Sequence, residues 1–427
     1  MAVAAPSRRP RPLAGRPAAV RIGAAAVAAV IVAEAAVWLL RPRGEVVEPA
    51  SVSERAYFSQ SQLDRAHDYR DTQRLLGIGT LAVEGAVLVV LAVWRPEPLR
   101  RGLHLAARRP LLGGATVGAG ISLTLAVAAL PTGIAAHERA RDVGLATQGI
   151  GPWLGDVAKS GALGAALAGI GGALAVAMMR RLGRRWWIGG SVAVVALAVV
   201  FTWLAPVVLA PLFNRFEELP PGGTRSEVVR LGERAGVEVG DVYRVDASRR
   251  STALNAYVNG LGPTKRVVIY DNALRELDRD ELSSLIAHEL GHVKGDDIWR
   301  GIGWVALVAP LGVLLVQLGS EALARRSGDD PRSPAALPAL ALTMALVVFG
   351  LGVAGNQLSR RVEARADTFA LQLTGDPQGL IGLQKRLALT NLGDPSPPAV
   401  MQWLFGTHPD TMERIGAAVE FEREQRR

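Results

Sequence analysis

A mainly α, seven-span membrane protein with a small β element is the fold class this sequence predicts, and three observations carry the prediction. Apolar residues fill 49% of the 427 positions, whereas aromatics fill only 5%. Mean hydropathy is positive, at +0.22. Ala, Val, Leu and Gly gather in blocks of about 20 residues, the length a helix needs to cross ~30 Å of hydrocarbon.

The elements follow in order. Residues 1–21, rich in Arg, Pro and Ala, are expected to form a disordered basic tail. The first apolar run, 22–40, contains Ala33-Glu34-Ala35, which loosely resembles a signal-peptidase site. The run continues past it to Leu40, so it is read as a retained membrane helix. Runs at 75–94, 111–130, 161–179 and 187–212 complete a five-span N-terminal membrane domain over 22–212. Glycines weaken the fourth run as a helix, and Pro206 and Pro211 should kink the fifth or end it early. Two further runs, 302–323 and 335–354, lie within a C-terminal domain over 213–427. There, short β-like runs at 242–245, 253–258 and 266–270 precede a helix. The chain after 355 reads as helical, then loop-like around Asp394-Pro395-Ser396-Pro397-Pro398, then helical again. No internal repeat is visible.

Charge and composition exclude several function classes. The net charge of +9 comes mostly from Arg clusters between apolar blocks. That pattern fits the positive-inside rule. It lacks the basic stripe interleaved with aromatics that a nucleic-acid partner would need. Without cysteine there are no disulfides, thiolate metal sites or Cys nucleophiles. With seven spans, the tail arginines (Arg8 to Arg21) share one side with Arg95 to Arg109 and Arg180 to Arg185. That side should be the cytoplasm, which places the polar stretches 213–300 and 355–427 outside. Glu34 and Glu84 fall inside predicted spans, so they should face an interior cavity or a polar partner.

The chemistry concentrates in His288-Glu289-Leu290-Gly291-His292, an H-E-x-x-H sequence. On a helix, His residues four apart lie on one face and can hold one Zn²⁺. Local signals support a helix. Asp278 and Glu281 form a capping-box pattern, Leu277 and Leu282 fit a hydrophobic staple, and Leu282, Leu285 and Ile286 recur at helical spacing. Glu289 projects to the side of the metal, where it could take a proton from a zinc-bound water. A hydrolytic zinc site needs a third protein ligand, and no third His is near. The best candidate is Glu363, within Ser359-Arg360-Arg361-Val362-Glu363-Ala364-Arg365-Ala366-Asp367. Asp367, four residues on, suits a carboxylate that orients a ligating His. The same stretch also reads as an ordinary amphipathic helix with alternating charges.

These motifs resemble the type I CAAX prenyl proteases, integral-membrane gluzincin zinc metallopeptidases that process farnesylated peptides, and their bacterial relatives. The shared pattern runs in order through Asn255-Ala256-Tyr257, His288 to His292, two intervening spans, Ser359 to Asp367, and His408-Pro409. The resemblance implies a gluzincin zinc-peptidase core with one Zn²⁺ per chain and Glu363 as third ligand. It also implies that His408 stabilises an oxyanion, that Asn255, Ala256 and Tyr257 bind substrate, and that the spans wall a chamber. Arg414 follows at the family's spacing and is expected to form a structural ion pair. The strand reading also fits β-augmentation, in which an extended peptide adds to a sheet edge. Bacterial membrane heat-shock metalloproteases share the motifs but have fewer spans.

The expected protein is a zinc metalloendopeptidase of a bacterial plasma membrane, acting on peptide or protein substrates that include lipidated ones. His288, His292 and Glu363 are the expected ligands, and Glu289 and His408 the expected catalytic groups. Two other readings stay open: quality control of membrane proteins, and a non-hydrolytic metal-binding membrane scaffold. Arg counting places the site outside, whereas the resemblance implies an exit toward the cytosol.

Overall fold

The computed structural model describes residues 18–261 and 266–427. The expected basic tail lies outside the described residues up to position 17. Helix α1 (Ala18–Leu40) already takes in residues 18–21. It is followed by α2 (Gln60–Val89), α3 (Glu97–Ala107), α4 (Pro110–Asp142), α5 (Ile150–Leu182) and α6 (Trp186–Leu204).

Six stretches among the described residues are long and apolar enough to cross a membrane. One of them, Ile150–Leu212, is 63 residues long. As a straight helix it would reach about 95 Å, roughly three hydrocarbon thicknesses. Gly183 breaks it: at φ +56° it starts the turn that separates α5 from α6. Seven apolar helices are therefore present among the described residues, as expected. The fifth ends early at its prolines, as α6 stops at Leu204 and the chain continues through a π turn with Pro206 and a 3-10 turn with Pro211.

The glycines of the fourth span have a purpose that their low helix propensity hides. A Cβ on Gly172 of α5 would run into the Gly114 carbonyl of α4, and one on Gly118 would strike the Ala168 carbonyl. Small residues one turn apart let these two backbones touch, which is how helices associate where lipid removes the hydrophobic driving force. Helix α3 was not foreseen. It is an 11-residue amphipathic segment between α2 and α4, too short and too polar to span.

The C-terminal half begins with strand β1 (Phe216–Glu218), α7 (Gly223–Ala235), β2 (Asp241–Val245), β3 (Ala256–Asn259) and β4 (Arg266–Tyr270). The four strands form one sheet in the order β1-β2-β4-β3, so β3 is an end strand. Strand β2 runs parallel to β4, while β1 and β3 pair antiparallel to their neighbours. Two short helices follow, α8 (Asp271–Glu276) and α9 (Arg279–Lys294). The membrane hairpin α10 (Asp297–Arg326) and α11 (Leu337–Thr374) comes next, then α12 (Pro377–Thr390), α13 (Ala399–Phe405) and α14 (Thr411–Gln425).

One hydrophobic core holds this half together. Ile286 and Leu290 of α9 pack in a single buried cluster with Ile269 of β4, Leu231 of α7, Leu371 of α11, Leu380 and Leu383 of α12, and Ile415 of α14. Helix α9 thus lies at the centre of the water-facing half. The α10–α11 hairpin roots the same half in the membrane.

Candidate metal centre

Helix α9 starts where its residues dictate. Asp278 accepts from the Asp280 and Glu281 amides at 3.0 and 2.9 Å, and Glu281 returns a bond to the Asp278 amide at 3.2 Å, closing the expected capping box. Leu277 and Leu282 are both buried beside it in the core cluster. From this fixed start, His288 and His292 fall on one helical face with their Nε2 atoms 3.2 Å apart.

Helix α11 brings the third group. Its 38 residues carry the chain through the bilayer and on into the water-facing half, where Glu363 meets the two imidazoles. Glu363 Oε2 lies 3.2 Å from His288 Nε2 and 3.7 Å from His292 Nε2. The ligand atoms of His288, His292 and Glu363 all fall within 4.8 Å of one another, the only such three-residue group among the described residues. Glu363 Oε2 is buried and has no hydrogen-bond donor. A buried carboxylate oxygen without a donor, facing two imidazole nitrogens, is a donor set that fits a divalent cation.

Each imidazole is oriented from behind. Asp367 Oδ1 sits 2.8 Å from His288 Nδ1, and Arg414 grips both Asp367 oxygens at 2.6 and 2.7 Å. Asp367 thus lies between the His288 ring and the Arg414 guanidinium. His292 has a parallel arrangement that sequence reading missed. Asp297 Oδ2 lies 3.0 Å from His292 Nδ1 and is itself held by Arg365 at 2.6 Å, while Arg300 reaches Oδ1 at 3.2 Å. Asp297 opens α10 five residues after His292, a spacing off the helical face that the motif uses. Both arrangements fix the ring tautomer so that Nε2 faces the metal position.

Electrostatics follow this company. For His292, burial favours the neutral ring, but Asp297 and Glu363 outweigh it and push the pKa up to about 10 when no cation competes. Burial raises the Glu289 carboxyl above the usual range, and His288 and His292 only partly offset it. Glu289 Oε2 accepts from the Val258 amide of β3 at 3.2 Å.

His408 arrives from the loop between α13 and α14. Its Nε2 is 3.3 Å from Glu363 Oε2 and its Nδ1 is 2.8 Å from the Thr407 hydroxyl. The His408 side chain is 54% exposed. Partial desolvation by the surrounding groups lowers its pKa despite the neighbouring Glu363.

Ala256 and Tyr257 belong to the end strand β3, and Asn255 immediately precedes it. Tyr270 N–H donates to Asn255 O at 3.0 Å, so pairing with β4 alternates from there. Ala256 and Val258 thus turn their backbone groups to the open side, where Val258 meets Glu289. Of the two intramembrane carboxylates, Glu34 accepts from Gln357 at 3.0 Å. Glu84 is half-buried on α2.

Comparison with known proteins agrees with this geometry. The family model described as peptidase family M48 matches residues 223–422. A second, described as the CAAX prenyl protease N-terminal region with five membrane helices, matches residues 49–215. The M48 match thus covers the C-terminal part of the chain. The chain is 26% identical to an uncharacterized metalloprotease, YhfN, of Bacillus subtilis, over 87% of this chain and 88% of that protein. It is 33% identical to a CAAX prenyl protease 1 homolog of Oryza sativa over 52% of this chain, and spans about half that relative's length, 53%. The crystal structure of S. mikatae Ste24p shares the fold, with a TM-score of 0.76 over 95% of this chain and all of that one, at 19% identity. The protein is thus a multi-pass membrane metallopeptidase.

Proposed function

We propose that the protein is a zinc-dependent endopeptidase that cleaves CAAX-type peptides. The observation that carries this reading is the convergence of His288, His292 and the donor-less Glu363 oxygen, with Glu289 beside them. His288, His292 and Glu363 would hold the ion; two imidazoles and one carboxylate are a donor set typical of catalytic zinc. A bound zinc ion supplies Lewis acidity to a peptide carbonyl and acidifies water beside it.

The chain's own residues do the rest. The open side of β3 offers the Ala256 peptide group to an extended substrate and lays it alongside α9. The Val258 amide holds Glu289 Oε2, which leaves Oε1 to take a proton from water and pass it to the departing amine. Burial of Glu289 raises its basicity toward the range where a general base works at neutral pH. His408, whose Nδ1 is 2.8 Å from the Thr407 hydroxyl, is placed to donate from its imidazole to negative charge developing on the carbonyl oxygen.

The CAAX assignment rests on the names of relatives and on the matched N-terminal family model. It is tested by assaying the purified chain on one C-terminal peptide with and without its prenyl group. Faster cleavage of the prenylated form supports it. Equal cleavage of both would leave a zinc endopeptidase of broader membrane substrates.

A further inference from the structure

Helix α13 has no buried residue, and its apolar side chains face outward: Val400 is 62% exposed, Trp403 55% and Phe405 43%. Its surroundings show what covers that face. The Phe405 ring lies 6.2 Å from Phe349 of α11. Phe349 belongs to the stretch of α11 whose Met344, Leu346 and Val348 are exposed as a lipid-facing surface. Asn356 donates to Leu404 O at 2.8 Å, and Asn356 is where the apolar run of α11 ends. Helix α13 therefore sits where α11 leaves the hydrocarbon, and its exposed face continues the lipid-facing one. Exposed Trp38 at the end of α1 and Trp299 at the start of α10 mark the same level: Val37 of α1 packs with Leu358 of α11, two residues past Asn356, and Arg300 ties α10 to the Leu40 carbonyl. Tryptophan, with an apolar ring and a polar N–H, is suited to that depth.

We propose that α13 is an interfacial anchor: Val400, Trp403 and Phe405 insert at the boundary of acyl chains and lipid headgroups and so position His408. The connection is short. Gln402 Nε2 donates to the His408 carbonyl at 2.7 Å. Arg360 of α11 holds the carbonyls of Gln402 and Gly406 at 3.1 and 2.6 Å. The loop that brings His408 Nε2 to 3.3 Å from Glu363 is thus fixed to one helix that crosses the bilayer and to another that lies on it. Val400, Trp403 and Phe405 are positioning residues outside the centre. The anchor itself is independent of the proposed function, whereas its effect on turnover rests on that reading.

Fluorescence and kinetics of the full chain in phosphatidylcholine nanodiscs test both halves. The emission lost on Trp403→Phe isolates the Trp403 signal from the other eight tryptophans. Acyl chains brominated near the headgroup should quench that signal about twofold or more, and aqueous iodide should not. Quenching by iodide with none by the brominated lipid would overturn the anchor. In the second arm, Val400→Asp with Trp403→Asp should lower kcat about tenfold with KM and bound metal unchanged, while Trp403→Phe keeps the wild-type rate. Wild-type kcat in the double Asp variant would overturn the positioning of His408. A wild-type chain that binds metal but cleaves nothing would instead overturn the peptidase reading, and the fluorescence arm would still decide the anchor.

Discussion

The two halves of this chain use similar apolar side chains against different solvents. In the water-facing half, Leu290, Ile286, Leu371 and Ile415 are essentially inaccessible and belong to one core. In the membrane half, Leu346, Val127 and Ile170 stand about 60% exposed, because lipid takes the place of a protein neighbour. There, cohesion comes from the glycine contacts of α4 with α5 and from polar pairs such as Thr80 with Thr132 at 2.7 Å. The metal centre lies where the halves meet, with two groups on the water-facing helix α9 and one on the emerging end of α11. Its rigidity therefore depends on burial of charge as much as on apolar packing.

That contrast can be broken most sharply at Arg414. Arg414→Ala would leave Asp367, whose side chain is only 2% exposed, without its bidentate partner. Removing one partner of a buried pair costs about 3–5 kcal/mol, and losing a group that orients a ligand weakens metal binding roughly 10–100-fold. Thermal unfolding and zinc titration of the variant measure the two effects separately. Wild-type zinc affinity would show that Asp367 orients His288 unaided.

Next comes a matched pair of truncations. Leu290→Ala should cost about 2–5 kcal/mol, the usual loss for a fully buried leucine. Leu346→Ala, on the lipid face, should stay within about 0.5 kcal/mol in a bilayer. Equal costs at the two positions would mean that the membrane half packs against more protein than its exposure suggests.

Acid should act through the imidazoles. A ligating His must be neutral, so protons compete with the ion and zinc affinity should fall as pH falls, by up to about tenfold per unit for each proton displaced. The metal-free chain should behave in the opposite way. The His292 pKa is raised to about 10 in the folded state. That stabilisation is fully present below the unfolded value near 6.5 and is lost as pH rises through 10. Across that window, melting temperature should fall with rising pH in the presence of chelator and stay nearly level with zinc bound, because neither the metal-bound nor the unfolded ring carries the proton there.

Much of this was legible in the sequence because the signals were local. The capping box at Asp278 and Glu281, the His pair four residues apart, the apolar runs and the prolines of the fifth span each report on their immediate neighbours. Glu363 lies 71 positions beyond His292, and the residues alone also allowed an amphipathic helix; the family resemblance gave it a role. Asp297 escaped notice because its partner comes from another helix and its spacing matches no face of α9. The glycines of α5 were read as weakness, since propensity counts the cost within one helix and not the contact it allows with another. Strand β1, three residues long, is too short for any period to show.

The most direct test of the account is Glu289→Ala, assayed for zinc content and for peptide hydrolysis beside the wild type. The account predicts about one zinc in both proteins and a rate lower by roughly 10²–10⁴-fold in the variant, the usual contribution of a general base. Equal hydrolysis by both proteins would contradict it, because Glu289 would then not be the base and the centre would work by another route.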